Sequence, residues 1–362
     1  MALVKTLAVL PGDGIGQEVI PEALRVLEAI GQKTSVRFEH RRGLVGGAAI
    51  DQYGRPITAE VMAMCAECDA ILLGAVGGPR WDDLPLDRRP ESALLALRKA
   101  FDCYANLRPI WLDPCLVHSI PLREDVVGRG VDILIVRELA HGLYYGPRGR
   151  RTSGDGRLEA FDTAVYSEEA VERVARLAFS IAQKRRKHLV SMDKSNILET
   201  SKLWREVVTR VSQAYPEVTV RHQLVDSGAM LFVLRPSDLD VVLVNNEFGD
   251  ILSDEAAVLA GSLGMIPSAA IGPRHPYFYE PIHGSAPDIA GQAIANPIGA
   301  ILTAAMMLRY SFSLEGEARM VEAAVRDALR AGCRTRDIAG EGEPTVSTER
   351  MGDAVVEALR EQ

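Results

Sequence analysis

Val241-Val242-Leu243-Val244-Asn245-Asn246-Glu247-Phe248-Gly249-Asp250-Ile251-Leu252-Ser253-Asp254-Glu255 opens on apolar, mostly β-branched residues and closes on acids. With Leu239 just ahead, the apolar run reads as a short buried strand. Asn245–Glu247 make a turn, and Asp250 opens a helix that carries Asp254 one turn on. Both carboxylates then project from one helix face. Like charges at that spacing cost stability unless something positive lies between them, and a hard divalent ion such as Mg2+ or Mn2+ is the economical candidate. The alternative is plain: Asp250 as an N-cap and Asp254 as a solvated acid. Spacing leaves both open.

The 362 residues suffice for two domains, with a formal charge of −8. No Lys/Arg stretch interleaved with aromatics marks a nucleic-acid surface. The basic run Lys184-Arg185-Arg186-Lys187-His188 reads as the solvated end of a helix beginning near Ser167. No apolar run has the length of a membrane span and the N-terminus lacks a signal-cleavage pattern, so the expectation is a soluble, cytoplasmic protein. Cys65, Cys68, Cys103, Cys115 and Cys333 form an odd, scattered set that suits a reducing compartment. Cys65 and Cys68 have C-x-x-C spacing without a second pair, which favours two small buried side chains on a helix over a zinc or redox site.

The first strand, Lys5–Leu10, runs into Pro11-Gly12-Asp13-Gly14-Ile15-Gly16 ahead of a helix over Gln17–Ile30. The glycine spacing is wrong for a dinucleotide fingerprint, and the segment reads as a tight backbone loop near a ligand. Ala70–Leu73 is a second buried strand ending in glycines, where ligands approach backbone in open α/β sheets. Pro90–Leu107 reads as a helix bearing Glu91, Leu94, Leu95 and Arg98 and ending at Arg108. Arg137 follows the apolar strand Val131–Val136. The planar forks of Arg98, Arg108 and Arg137 suit bidentate carboxylate binding, an ordinary ion pair being the alternative for each. Pro147–Arg157 reads as a protruding arm or hairpin. Lys194 lies at the end of strand Leu189–Met192, and Asp226 follows a strand around Val218–Leu224. An apolar helix over Pro297–Leu308 precedes an amphipathic helix and an α/β tail.

LRPI, VRELxxGLYYG, MDKSNILE, FGDILSDEA and EPIHGSAPDIAGQxIANP occur in this order along essentially the whole chain. In these motifs the sequence resembles the isocitrate/isopropylmalate family of β-decarboxylating dehydrogenases. The resemblance implies a two-domain α/β/α sandwich rather than a Rossmann fold, with the site in the cleft between domains. Residues 1–103 plus 261–362 would be a discontinuous cofactor-side domain, and 104–260 a dimerisation and metal-site domain with an arm near 147–165. It also implies an NAD- and metal-dependent oxidative decarboxylation of a 2-hydroxy acid in a homodimer with shared sites. Asp250 and Asp254 of one subunit, with Asp226 of the other, would hold Mg2+ or Mn2+. Arg98, Arg108 and Arg137 would grip substrate carboxylates. Lys194, also from the partner, would serve the hydroxyl as general base, and Tyr144 would protonate the enolate carbon.

The loop 283–291 resembles the family's adenine-side NAD loop, so His283, Gly284, Ser285, Ala286, Pro287, Asp288, Ile289 and the following Asn296 are expected at the cofactor, with Gly78–Glu91 on the nicotinamide side. The Asp288 carboxylate would accept from ribose hydroxyls and repel a 2′-phosphate, which favours NAD. Isocitrate-using members place a serine and an asparagine where this chain has Leu94 and Leu95. With Ile197 from the partner, the leucines suit an alkyl group at C3 of malate and favour 3-isopropylmalate, a step in leucine biosynthesis. Ala140-His141-Gly142 replaces the usual T-G-G, Asp226–Leu231 replaces D-N-A-A-M-Q, and Val244 and Glu247 are also unusual. The runner-up is therefore the same chemistry on another 3-alkyl- or 3-arylmalate. A non-catalytic regulatory subunit is disfavoured, because Lys194, Tyr144 and all three aspartates are present.

Overall fold

The computed structural model describes residues 3–362. Its strands are β1 (Leu3–Gly12), β2 (Val36–Arg42), β3 (Ala70–Ala75), β4 (Ala105–Trp111), β5 (Asp132–Glu138) and β6 (Arg148–Thr152). They continue with β7 (Leu158–Asp162), β8 (His188–Asp193), β9 (Thr219–Leu224), β10 (Val241–Val244), β11 (Ala269–Ile271) and β12 (Tyr277–Tyr279). The helices are α1 (Gly16–Lys33), α2 (Gly47–Tyr53), α3 (Ala59–Ala66), α4 (Ser92–Ala100), α5 (Glu124–Val127) and α6 (Glu168–Gln183). After them come α7 (Glu199–Ser212), α8 (Val225–Leu234), α9 (Asn246–Ala257), α10 (Ile298–Tyr310), α11 (Glu315–Arg330) and α12 (Thr348–Glu361). The fold is α/β, mixed sheet flanked by helices. No helix among the described residues is long and apolar enough to cross a membrane.

The chain divides into two compact units. The first comprises Met1–Cys103, Leu112–Pro121 and Ala257–Gln362. Its strands run in the order β2-β1-β3-β12-β11, parallel except for the β11–β12 pair. Every residue of β3 is buried, as a continuous apolar run in a covered parallel strand requires. Helix α10 is buried all round from Ile298 to Leu308 and packs against α1 and α11. Its neighbours are amphipathic, with one apolar stripe each. Helix α1 also lies along α12, where Arg25 bridges the buried Glu22 and Asp353, and Lys33 donates to the Leu359 carbonyl at 2.7 Å.

The second unit comprises Tyr104–Trp111 and Leu122–Ala256, with strand order β4-β5-β10-β8-β9. Only β4 is antiparallel to its neighbour, and Val244 of β10 stands in register with Arg137 of β5. Helix α6 starts where Ser167 Oγ accepts from Ala170 N at 3.2 Å. Trp204 on α7 is buried, donating to Ser191 Oγ at 3.1 Å and meeting the Tyr166 ring edge-on. The hairpin β6–β7 carries exposed Leu158 and Phe161.

Four expectations change. The helix expected over 90–107 stops at Ala100, and Arg108 is a strand residue of β4. Asp102 takes a left-handed φ of 46° and Cys103 N reaches back to the Arg98 carbonyl at 2.8 Å, a helix stop built without glycine. Asp250 does not open its helix: α9 begins at Asn246, and Asn245 Oδ1 accepts from Phe248 N at 2.9 Å. The basic run after α6 is not simply solvated, because Arg185 and Arg186 clamp Asp132 and the buried Asp240. The C-terminal tail holds no strand; it is irregular up to the helix α12.

Candidate active site

The chemistry-bearing groups of the second unit gather where β4, β5 and α9 meet. Arg137 is 1% exposed, yet its guanidinium is fully engaged. Nε and Nη2 donate to Asn246 Oδ1 at 3.0 and 2.7 Å, and Nη1 donates to Asp250 Oδ1. Asn246 is held in turn by the Tyr166 hydroxyl on its N–H and by the His141 carbonyl on its amide. A Cβ on Gly249 would lie 2.8 Å from Arg137 Cγ, so the glycine of FGD lets the helix close on the arginine. Arg108 is also buried; Nε donates to Asn106 Oδ1 at 2.6 Å and Nη1 to Ser253 Oγ. Its guanidinium stands 3.6 Å from Asp250 and 3.7 Å from Asp254.

Asp250 and Asp254 share one face of α9, with two guanidinium groups offsetting their repulsion in the protein itself. The Tyr144 hydroxyl donates to Asp250 Oδ2 at 3.0 Å, and the Arg137 guanidinium lies 5.8 Å from the Tyr144 ring centroid. Burial pushes the Tyr144 phenol up to about 12, helped by the Asp250 charge and hydrogen bond, so the group holds its proton at neutral pH. Burial likewise raises the Asp254 carboxyl, against the pull of Arg108.

Lys194, just past β8, pairs with Asp226 at the start of α8 at 2.9 Å. That hydrogen bond lowers the Asp226 carboxyl. Among the described residues no three His, Cys, Asp or Glu side chains gather as a metal cage. Asp250 and Asp254 offer two hard oxygen donors on one face of α9, of the kind a divalent ion such as Mg2+ or Mn2+ takes. Ile197 in the loop after β8, Met230, Val233 and Leu234 on α8, and Ile251 on α9 are exposed apolar side chains.

In the first unit Arg98 donates to Glu280 Oε1 at 2.6 Å. Leu94 and Leu95 are half-buried on α4, and Glu91 is exposed at its start. Gly78 lies in the turn after β3. In the loop 283–291 the His283 ring is buried, its Nδ1 2.9 Å from the Gly284 carbonyl and its Nε2 without a partner. Gly284 opens onto free space and Ser285 is buried, while Pro287 and Asp288 are exposed and Ala286 and Ile289 half-buried. An orphaned ring nitrogen beside open backbone fits a polar ligand such as a dinucleotide. Asn296 is buried, accepting from Ile298 N at the start of α10 and donating to Asp337. Sequence reasoning overlooked Asn106, Asn246 and Ser253, the neutral groups that orient the two arginines. The one available signal was the Asn245-Asn246 pair directly after a buried strand.

Residues 6–355 match the isocitrate/isopropylmalate dehydrogenase family. The chain belongs to this family. It is similar to a 3-isopropylmalate dehydrogenase of Thermotoga maritima, 53% identical over 357 residues, covering 98% of this chain and 99% of the relative. A 3-isopropylmalate dehydrogenase of Aquifex aeolicus is 52% identical, covering 98% of this chain and 96% of its own length. Among solved structures, an isocitrate dehydrogenase from Methylococcus capsulatus superposes with a TM-score of 0.88 at 32% identity, covering 98% of this chain and 99% of that one. A β-decarboxylating dehydrogenase from Thermococcus kodakarensis gives 0.79 at 38% identity, covering 99% and 96%. Members of the isocitrate/isopropylmalate dehydrogenase family are β-decarboxylating dehydrogenases, and this chain is an enzyme of that kind.

Proposed function

We propose that this protein oxidatively decarboxylates 3-isopropylmalate to 4-methyl-2-oxopentanoate with NAD and Mg2+ or Mn2+, as a step of leucine biosynthesis in the cytoplasm. The observation that carries the reading is the cluster of Arg108, Arg137, Tyr144, Asp250 and Asp254, which sets two buried guanidinium groups and a protonated phenol against a pair of hard oxygen donors. The relatives named above, about half identical over their full length, support the substrate.

In this reading the first unit is the cofactor-side domain and the second carries the metal ligands and the dimer contact. His283–Ile289 with Asn296, together with Gly78–Glu91, would hold NAD, which would supply the hydride acceptor for C2. Asp250, Asp254 and Asp226 of the partner subunit would hold the metal, which would supply Lewis-acid stabilisation of the charge that develops on oxygen. Arg98, Arg108 and Arg137 orient the malate carboxylates, so that the bond to the departing CO2 is held in place. Lys194 of the partner subunit receives the hydroxyl proton. The Tyr144 phenol keeps its proton until CO2 has left and then delivers it to C3. Leu94 and Leu95, with Glu91 at their helix start and Ile197 of the partner subunit, receive the isopropyl group. The exposed apolar residues of α8 and α9 supply the surface on which two subunits would associate. Asp226, paired with Lys194 at 2.9 Å, stands at the start of α8, one of the helices that carry this surface.

The test is NADH formation by the purified protein with Mg2+ and 3-isopropyl-, 3-methyl- and 3-benzylmalate, tartrate and isocitrate. A kcat/KM for 3-isopropylmalate about tenfold above every rival, roughly 1.4 kcal/mol of transition-state discrimination, is expected. Preference for a bulkier malate would overturn the substrate assignment and leave the reaction class standing.

A further inference from the structure

The glycine run at the end of β1 does not have the dinucleotide-fingerprint spacing, yet it organises every loop of the first unit assigned above to the cofactor. Asp13 is 5% exposed and accepts three backbone N–H groups. Oδ2 takes Gly47 at 2.7 Å and Gly77 at 2.9 Å, and Oδ1 takes Ala48 at 2.8 Å. Gly77 belongs to the turn that leads from β3 to Glu91. The Asp13 N–H donates to the Ala75 carbonyl at 2.7 Å, fastening the same turn a second time. From the other side of the run, Ile15 N donates to the Ser285 carbonyl at 2.9 Å, and Glu18 Oε1 accepts from Gly291 N at 2.6 Å. The loop 283–291 is therefore tied at both ends to the start of α1. Backbones close directly on one another here. A Cβ at Gly12 would stand 1.8 Å from the Ala75 carbonyl oxygen, and one at Gly14 would stand 2.0 Å from that of Ser285.

We propose that Asp13 is a positioning residue that sets the nicotinamide-side turn (77–91) and the adenine-side loop (283–291) in one register, with Glu18 as the second tie. The inference rests on the reading of the protein as an NAD-dependent dehydrogenase. Asp13 is buried with its carboxylate taken up by backbone, and it acts through the three N–H groups it gathers. Asparagine has one acceptor where aspartate has two. In either orientation of the amide, at least one of the three donors loses its acceptor and faces an NH2 group instead.

The experiment compares the wild-type protein with Asp13→Asn and Glu18→Ala. The readouts are KM for NAD, KM for 3-isopropylmalate, kcat, and the rise in melting temperature produced by NAD alone or by Mn2+ with the malate. For Asp13→Asn, KM for NAD rises about tenfold and the NAD-induced melting shift shrinks, as loss of a buried donor's partner implies. For Glu18→Ala the rise is about threefold, because a single, more accessible bond is lost. In both variants kcat, KM for the malate and the Mn2+–malate shift stay within about twofold of wild type. A role in folding alone would lower the melting temperature and leave KM for NAD unchanged, and that result would overturn the proposal. Should Asp13→Asn not fold, an unchanged KM for NAD in Glu18→Ala overturns it equally. A wild-type protein that neither turns over with NAD nor melts higher in its presence overturns the functional reading and this inference together. Wild-type turnover with unaffected variants overturns the inference alone.

Discussion

Asp250→Asn and Asp254→Asn remove the same charge from one helix face, one turn apart, and the structure separates their consequences. Asp250 is the anion of a buried cation: Arg137 is 1% exposed and donates to Oδ1, Arg108 stands 3.6 Å away, and Tyr144 donates to Oδ2. Breaking a fully buried ion pair costs about 3–5 kcal/mol. The Asp250 side chain is 38% exposed and Asn246 keeps its two bonds to Arg137. The expected loss for Asp250→Asn is therefore about 2 kcal/mol. Asp254 is 60% exposed and 3.7 Å from Arg108. Neutralising it gives up a weak pair and relieves a like-charge contact one turn away, each worth about 0.2–0.5 kcal/mol, so stability stays near wild type. Urea denaturation with metal chelated reads the first difference. Mn2+ binding followed by electron paramagnetic resonance, with NADH formation, reads the second. Both variants are expected to lose Mn2+ affinity by more than about tenfold and turnover by more than about a hundredfold, while only Asp250→Asn unfolds more easily. Equal destabilisation would refute the ion-pair reasoning, and wild-type Mn2+ affinity in Asp254→Asn would refute the shared metal role.

Tyr144→Phe leaves the fold intact but removes the proton that C3 is to receive, so kcat falls about a hundredfold or more while KM for the malate moves little; equal falls in kcat and in metal affinity would instead assign the hydroxyl to site assembly. His222 and His283 titrate below the ordinary 6.5, with burial the first cause in both. The folded state then resists protons that the unfolded chain accepts, so stability holds above pH 6.5 and falls as pH drops below it. Melting temperatures between pH 7.5 and 5.5 should show this fall, with a smaller drop in His222→Gln. Burial pushes the Cys65 and Cys103 thiols up to about 12 and Cys115 to about 11. At pH 8 these thiols should resist alkylation in the folded protein and react on denaturation, which mass spectrometry of the labelled protein reads.

Much of this architecture is readable in the amino-acid sequence where local pattern decides it. The all-apolar β10 followed by α9, the Ser167 cap and the uniformly apolar α10 are set by neighbours along the chain. The pairing of Asp250 with Asp254 follows from helix periodicity alone. What balances their charge does not. Arg108 and Arg137 come from strands more than a hundred residues away in sequence, and a divalent ion was the only partner that local reasoning could supply. The end of α4 was hidden for a different reason. Its stop uses Asp102 in the left-handed region in place of the glycine that ordinarily announces one. Arg185 and Arg186 looked solvated because Asp132 and Asp240, distant in sequence, are the acids that hold them.

Helix α1 rests on α12, so an early helix of this chain waits for one that follows it by more than three hundred residues. Until residues 348–361 emerge, Glu22 and Arg25 lack Asp353, and the apolar stripe of α1 lacks that cover. Helix α10 has no polar face to show water in the meantime. The second unit, complete once Ala256 has been added, is free to form while the chain is still growing. Synthesis thus favours an order: the half that carries the carboxylates can fold first, and the half with the glycine turn closes only after residues 348–361 have been made. Deleting the final helix should therefore turn over the nascent first unit to chaperones and proteases, even though no residue assigned to catalysis has been lost.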